Sequence, residues 1–271
     1  MVAVLMATYN GEKFLNEQIE SIVNQTYKDW KLYIHDDMSS DKTVDIIKSF
    51  CKKEPYKILY LKDEDRKRGA AHSFMWLLNE VNADYYMFCD QDDVWLEDKI
   101  EKSLNKMKDL ELKNPNTPIL IHTDLCLVDE KKRILSTSFW EYKKYKVDIS
   151  KKFNYIFFCN IVTGCTAIIN NKLKELSLPM SPKAYMHDYW LAIVASKYGI
   201  LDNIKEQTIL YRQHSANVLG GGRGYKPQFS LLGFVDWYKR QIPIMKEMKY
   251  GTIVKILYYR VKYQLYRLEV L

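Results

Sequence analysis

Apolar residues recur in two patterns along the N-terminal part of the chain. Unbroken runs such as Val2–Met6 are typical of buried strands, whereas apolar residues three or four positions apart, as at Leu15 and Ile19, are typical of helices. Asn10 is the candidate cap of the first helix. The two patterns alternate, with strands expected at 2–6, 30–35, 58–61 and 85–89. This order predicts an α/β fold with a mostly parallel central sheet and helices on both faces.

Polar side chains directly follow the first, second and fourth of these strands. The first strand leads into Thr8-Tyr9-Asn10, the second into Asp36-Asp37 and the fourth into Asp90-Gln91-Asp92-Asp93. Ligands of such sheets bind beyond the carboxyl ends of the strands. Because clustered carboxylates repel one another unless a cation or a donor-rich ligand compensates them, this edge is predicted to bind a ligand.

Asp90 and Asp92 are candidates for a shared metal and nucleotide site. Residues two apart on an extended segment project to the same side, so these two carboxylates are expected to converge. Mg²⁺ and Mn²⁺ take carboxylate oxygens together with water and substrate phosphate. Asp92 is the predicted metal ligand, and Asp93 is the alternative.

Together with the later segment Met186-His187-Asp188-Tyr189-Trp190, these motifs resemble those of the family 2 inverting glycosyltransferases. The resemblance covers about residues 2 to 220 and implies the GT-A-type nucleotide-sugar-binding fold. A nucleotide-binding half is expected at about 1–95 and an acceptor-binding half at about 96–220. The resemblance also implies a donor site made of Thr8, Tyr9, Asn10, Asp36, Asp37, Asp90 and Gln91, with Asp92 at the diphosphate-bound metal.

The catalytic base is predicted from the same resemblance. In the family an acidic pair opens a helix, and its second member removes the proton of the acceptor hydroxyl. His187-Asp188 stands at that place, so Asp188 is the predicted base and His187 replaces the first acidic residue. His187 is expected to orient Asp188, contact the acceptor or cap the helix. The alternative for Asp188 is a carboxylate favoured by the helix dipole.

A later segment supplies two further candidates. Arg212 and His214 follow the strand-like run Gln207–Leu210, and the family resemblance supports diphosphate binding by Arg212 and metal binding by His214. The alternative is a structural histidine beside a surface arginine. The glycine-rich run Gly220–Gly224 predicts a loop that closes over the bound donor.

The strings C-D-Q-D-D-V-W and Y-R-Q-H-S-A-N-V are similar to those of bacterial rhamnosyltransferases of this family. The similarity implies dTDP-L-rhamnose as the donor, with a UDP-hexose as the alternative. It also implies an acceptor hydroxyl on a growing, lipid-linked cell-surface polysaccharide. Family members place the stretch around Gly164 and Cys165 beside the sugar, so these two residues are predicted on the acceptor side. His187 and Trp190 are predicted on the same side, and core packing is the alternative for Trp190.

Two other protein classes fit part of the pattern. Asp90 to Val94 matches the D-x-D-x-V signature of haloacid dehalogenase-like phosphatases, but those proteins carry it on their first strand. A non-catalytic sugar-nucleotide-binding subunit would keep the fold and lack the base. The presence of Asp188 argues against that subunit.

Composition limits the cellular setting. The five cysteines are scattered without a C-x-x-C pair, so neither a disulfide framework nor a zinc site is expected. The first residues lack a basic leader, and no apolar run is long enough to span a bilayer. We therefore expect a cytosolic protein. Most of the net charge of +7 lies in residues 234–271, so no nucleic-acid partner is expected.

Residues 221–271 are expected to form an appendage that contains a basic amphipathic helix. Such a helix suits the inner face of an anionic cell membrane. The alternative is that its apolar stripe packs against the catalytic domain or against a second copy in a homodimer. The apolar stripe consists of Val254, Leu257, Val261, Leu265 and Leu268. Basic residues flank it on both sides, namely Lys255 and Lys262 on one and Arg260 and Arg267 on the other. The helix also carries four tyrosines, Tyr258, Tyr259, Tyr263 and Tyr266.

Overall fold

The computed structural model describes residues 1–63, 67–214 and 231–268. Its strands are β1 (Val2–Thr8), β2 (Trp30–Asp36), β3 (Ile58–Tyr60), β4 (Tyr85–Cys89), β5 (Val94–Trp95), β6 (Ile119–Val128), β7 (Ile134–Ser136), β8 (Ile168–Asn170) and β9 (Ile200–Arg212). Its first four helices are α1 (Leu15–Val23), α2 (Thr43–Lys53), α3 (Ala70–Glu80) and α4 (Lys99–Lys113). The later helices are α5 (Phe139–Tyr142), α6 (Val147–Ser150), α7 (Phe153–Ile156), α8 (Asn171–Ser177), α9 (His187–Tyr198), α10 (Leu231–Glu247) and α11 (Ile253–Arg267).

One mixed sheet runs through the described residues in the order β3-β2-β1-β4-β8-β6-β9-β5, with β7 paired to β6. The first four strands in this order are parallel. Strand β8 is antiparallel to both β4 and β6, and β9 runs parallel to β6. The predicted α/β fold and its four N-terminal strands are confirmed.

Strand β1 lies inside the sheet and is buried on both faces, which explains its unbroken apolar run. Ala3 and Leu5 pack into the core layer that includes α3 and α9, whereas Val4 and Met6 pack into the opposite layer with α1, α2 and α4. Alternate side chains of a strand point to opposite faces, so one segment joins both layers. The carboxyl end of β1 is therefore held firmly in place.

The C-terminal helices pack against the domain that contains the sheet, in place of the separate appendage expected from the sequence. Ile244 and Met245 of α10 and Ile256 and Tyr263 of α11 are buried in the same core layer as α9. The Tyr263 hydroxyl also accepts a hydrogen bond from Ser150 at 3.0 Å. Helix α11 has a second apolar face, opposite the predicted stripe, and this face docks on the domain. The predicted glycine loop, 220–224, lies outside the described residues.

The predicted stripe faces away from the domain. Val254, Leu257, Val261 and Leu268 are 72, 43, 59 and 45% exposed. No helix among the described residues is long and apolar enough to cross a bilayer.

The basic flanks of α11 are less symmetric than predicted. Lys255 and Lys262 are both half-buried, but the Arg260 guanidinium lies 4.2 Å from the ring centre of Trp237. Arg267 donates to the carbonyl of Lys143. The two arginines thus contact residues outside α11.

Candidate active site

A cavity of about 920 Å³ opens at the carboxyl ends of β1 and β4. Most of the residues predicted from separate motifs line this one space. They are Thr8, Tyr9, Asn10, Asp37, Asp90, Gln91, Asp92, Gly164, His187, Asp188 and His214. The strand order brings them together, since β1 and β4 are neighbours although 82 residues separate Tyr9 from Gln91.

The loop after β1 is fixed by the side chain of Gln91. The Gln91 amide accepts from the Tyr9 N–H at 2.8 Å and donates to the Tyr9 carbonyl at 2.9 Å. A Cβ at Gly11 would lie 2.4 Å from Gln91 Oε1, so only glycine leaves room for this pairing. Asn10 adopts a left-handed φ of 48° in the turn. It does not cap α1, which begins at Leu15.

The two carboxylates after β2 have different surroundings. Asp37 lines the cavity and accepts from the N–H groups of Arg68 and Gly69 at 2.6 and 2.9 Å. Asp36 is not among the lining residues. Its oxygens accept from the hydroxyls of Thr8 and Ser39 at 2.8 and 2.6 Å and so shape the turn. The structure gives Asp36 a role in this turn, and its contact with the donor stays a prediction.

Asp92 and His214 meet in the cavity. Asp92 Oδ2 lies 2.8 Å from His214 Nε2, and the imidazole packs 5.1 Å from the Phe14 ring. Carboxylate oxygen and imidazole nitrogen together suit Mn²⁺-type ions. Burial and the charges of Asp92 and Asp188 raise the pKa of Asp90 to about 7. This concentration of negative charge fits a divalent cation.

Asp93 faces the opposite way from Asp92. It is completely buried, does not line the cavity, and accepts the Arg212 N–H at 3.1 Å. Burial and the charges of Asp92 and Asp90 raise the pKa of Asp93 well above its usual range. Cys165 is buried with it, within 4.8 Å, behind the cavity wall. Asp92 is therefore the ligand candidate in the cavity, and the predicted acceptor contact by Cys165 is corrected.

Arg212 is committed to the protein and does not line the cavity. Its guanidinium donates to the carbonyls of Asp92 and Glu130 at 2.9 and 2.7 Å and to the Glu17 carboxylate at 2.5 Å. Only 2% of it is exposed. A buried guanidinium needs such acceptors to offset its desolvation. The predicted diphosphate contact by Arg212 is therefore corrected. The guanidinium instead links α1 and the β6–β7 turn to the loop after β4 through hydrogen bonds.

Asp188 stands in the first turn of α9 at the cavity wall. Its Oδ1 accepts the Tyr189 N–H at 2.5 Å, and the Gly164 N–H and the Asn160 side chain also bond to the carboxylate. Burial nevertheless raises the pKa of Asp188 to about 6. A carboxylate with this pKa is mostly ionised at neutral pH and is a stronger base than an ordinary aspartate.

His187 supports the turn that holds Asp188. Its ring lies 4.3 Å from Phe74 and 5.1 Å from Phe88, and burial lowers its pKa to about 3. A Cβ at Gly164 would come within 2.7 Å of His187 Nε2, so the glycine allows close approach. The imidazole is therefore neutral and does not replace the charge of the acidic residue that the family has at this position.

Trp190 belongs to the core. Its ring is 7% exposed and donates from Nε1 to the Ser177 carbonyl at 2.7 Å. The predicted acceptor contact is corrected, because position 190 of α9 faces the interior.

Sequence comparison identifies the family. The family model described as Glycosyl transferase family 2 matches residues 3–171, more than half of the chain. The chain belongs to glycosyl transferase family 2. It is therefore a glycosyltransferase, and the phosphatase alternative is wrong. A relative, dTDP-rhamnosyl transferase RfbG of Shigella flexneri, is 30% identical over 257 residues that cover 88% of this chain and 82% of RfbG.

Solved structures support the GT-A fold. S. aureus TarS 1-349 in complex with UDP-GlcNAc is similar with a TM-score of 0.64 and 13% identity, covering 97% of this chain and 72% of TarS. The chain spans 60% of another TarS 1-349 structure. Mannosyltransferase PcManGT from Pyrobaculum calidifontis, in complex with GDP-Man and Mn²⁺, is similar with a TM-score of 0.60 and 15% identity. The match covers 98% of this chain and 70% of PcManGT. At these identities the likeness shows the fold alone.

The structure adds cavity residues of this glycosyltransferase that sequence reasoning missed. Lysines and aromatic rings from four separate segments line the cavity, and isolated lysines and tyrosines in a sequence give no signal that they converge. The one local hint is that Tyr185 lies three residues before Asp188. The added residues are Lys13, Lys67, Lys143, Phe139, Tyr145 and Tyr185.

Replacing Asp188 by Asn should lower the rate of sugar transfer about a hundred- to ten-thousand-fold, because the amide cannot accept the acceptor proton. Nucleotide affinity should stay nearly unchanged, since the amide keeps the shape of the carboxyl. Steady-state rates and calorimetric nucleotide binding measure the two effects. Asp148→Asn, at a side chain that is 75% exposed on α6, is the matched control. Turnover of Asp188→Asn within a few-fold of the parent would contradict the base assignment.

The raised pKa of Asp188 predicts the acid limb of the pH profile. Below a pKa of about 6 the carboxyl is protonated and cannot accept a proton, so the transfer rate should fall about tenfold per pH unit below pH 6. An ordinary aspartate would lose activity only near pH 4. Rates at saturating substrates between pH 4.5 and about 8 test this. A rate that stays level down to pH 5 would be incompatible with Asp188 as the base.

Proposed function

We propose that this glycosyltransferase transfers L-rhamnose from dTDP-L-rhamnose, with inversion, to a hydroxyl of a growing, lipid-linked cell-surface polysaccharide. The supporting observation is that Asp188 and the Asp92–His214 pair line one cavity in a chain 30% identical to a dTDP-rhamnosyl transferase. A base and a nucleotide-binding group in one cavity are what a single in-line displacement needs.

In this mechanism Asp188 removes the proton of the acceptor hydroxyl as that oxygen attacks the anomeric carbon. Asp92 and His214 would hold a divalent ion, Mn²⁺ or Mg²⁺, which when bound supplies positive charge beside the leaving diphosphate. The N–H of Gly164 and the side chain of Asn160 keep Asp188 oriented. Lys13, Lys67 and Lys143 also line the cavity and are candidate cations for the donor, whereas Arg212 is bonded to the protein.

The donor is tested with a panel of nucleotide sugars and Mn²⁺, measuring release of the nucleoside diphosphate. We expect dTDP-L-rhamnose to be used at least about tenfold better, as kcat/KM, than UDP-glucose, UDP-galactose, UDP-GlcNAc or GDP-mannose. Asp188→Asn is the negative control. Preference for a UDP-hexose would overturn the rhamnose assignment and keep the transferase. No release from any donor would favour the non-catalytic subunit.

Metal removal should weaken nucleotide binding itself. In excess EDTA, or in the variants Asp92→Asn and His214→Gln, the affinity for dTDP should fall by about tenfold or more, because the diphosphate would lose the positive charge that a divalent ion supplies. Calorimetry with and without Mn²⁺ measures the change. His72→Gln, at an exposed histidine on α3, is the matched control. Undiminished dTDP binding in EDTA would remove the metal from the mechanism.

The outward stripe of α11 supports peripheral contact with the inner face of the cell membrane. Val254 and Val261 are more exposed than large apolar residues usually are, and Lys255 and Lys262 remain on that side of the helix. An apolar face with basic neighbours suits an anionic leaflet. Such contact would bring the cavity to a lipid-linked acceptor.

Flotation with anionic liposomes tests this contact. The intact chain should float at low salt and less at high salt, and the double variant Val254→Ser/Val261→Ser should bind about tenfold more weakly. Truncation is unsuitable because α10 and α11 carry buried core residues. Leu112→Ser, at an 81% exposed leucine on α4, is the control. If the intact chain stays at the bottom, the membrane proposal fails, and sedimentation then tests the homodimer.

A further inference from the structure

We infer that the ring of Tyr185 is the platform on which the acceptor saccharide stacks, which specifies the acceptor side of the proposed function and rests on it. Tyr185 lines the cavity, yet 53% of the residue is exposed. A large aromatic residue open to a cavity beside the predicted base has unused binding surface. No family motif singled it out.

The ring is held in a fixed orientation from behind. Tyr189 stacks against it with ring centres 4.7 Å apart and planes inclined by 27°. The Tyr189 hydroxyl donates to Gln241 of α10. Nearby, the Ser181 hydroxyl donates to Glu247 at 3.0 Å, and Lys183 forms an ion pair with Glu247 at 3.1 Å. One face of Tyr185 is therefore covered and supported by Tyr189, while 53% of the residue stays exposed.

Tyr185 lies on the base side of the cavity, because it stands three residues before Asp188 and stacks on Tyr189, the residue directly after Asp188. Besides burial, the charge of Asp188 raises the pKa of Tyr185, and the same charge contributes to the raised pKa of Tyr145. For Tyr211, another lining residue, the acidic contributions come instead from Asp93, Asp90 and Asp92. The two ends of the cavity thus have different tyrosines. In an in-line displacement the acceptor enters on the base side, opposite the leaving diphosphate.

The chemistry of the platform suits a pyranose ring. One face of a pyranose presents C–H groups, which pack against the negative face of an aromatic ring, while its hydroxyls stay free for hydrogen bonds. The predicted donor side has a separate aromatic residue, Tyr9, directly after β1, with the Lys67 ammonium 3.6 Å from its ring centre. The geometry therefore assigns Tyr185 to the acceptor.

The test compares Tyr185→Ala, Tyr185→Phe and the control Tyr198→Ala, at a 51% exposed tyrosine of α9 that does not line the cavity. The probes are the methyl glycosides of L-rhamnose, D-glucose, D-galactose and N-acetyl-D-glucosamine. Binding is followed by saturation-transfer NMR with dTDP present, and transfer by product formation. Slow hydrolysis of the donor, which uses water as the acceptor, reports an intact donor site.

For the best glycoside, Tyr185→Ala should raise the KM and weaken binding about three- to tenfold, with donor KM and donor hydrolysis unchanged. Tyr185→Phe and Tyr198→Ala should stay within about twofold of the parent. An acceptor KM unchanged in Tyr185→Ala, equal losses in donor hydrolysis, or no glycoside binding to the parent would overturn the platform. A different outcome separates the two proposals. If the parent turns over no donor but binds a glycoside, and Tyr185→Ala loses that binding, the platform stands and the proposed transfer is refuted.

Discussion

Mutual repulsion among the carboxylates at the end of β4 is the constraint on which the rest of the site depends. Asp90, Asp92 and Asp93 are consecutive or nearly so, and Asp188 lies close enough to raise the pKa of Asp90. Burial strengthens such repulsion because little water screens it. The protein offsets it partly with Lys99, a completely buried ammonium whose pKa burial lowers to about 8. The negative charge that Lys99 does not offset can be compensated by a cation and a ligand in the cavity.

The same constraint explains how the surrounding loops are held. Arg212 bonds to the backbone of the acidic loop and reaches Glu17 of α1 and the turn after β6 with its other donors. Lys132, from that turn, also bonds to Glu17. A guanidinium with several protein acceptors joins three chain segments that touch the cavity. Arg212 therefore stabilises the site. Ligand binding depends on other residues, whose side chains line the cavity.

The cavity has two differently supported walls. On the wall beside Tyr9, Gln91 pairs with the backbone of Tyr9 and fixes two strand ends to each other. On the wall beside Asp188, Gly164 and His187 pack against the start of α9, while α10 supports the segment before α9 through Glu247. The C-terminal helices thus support the cavity wall as well as the core. A segment that looks like an appendage in the sequence stabilises the wall that carries the proposed base.

The sequence by itself determined the N-terminal strands, the helices between them and most of the residues that line the cavity. Buried parallel strands and amphipathic helices have local periodicities, and polar residues at strand ends must meet at one sheet edge. The directions in which side chains point were decided only by the tertiary structure. Arg212 and Trp190 face the interior, and α11 docks with the face opposite its most regular stripe. Local patterns fix periodicity, but which face of an element is covered depends on contacts with residues far away in the chain.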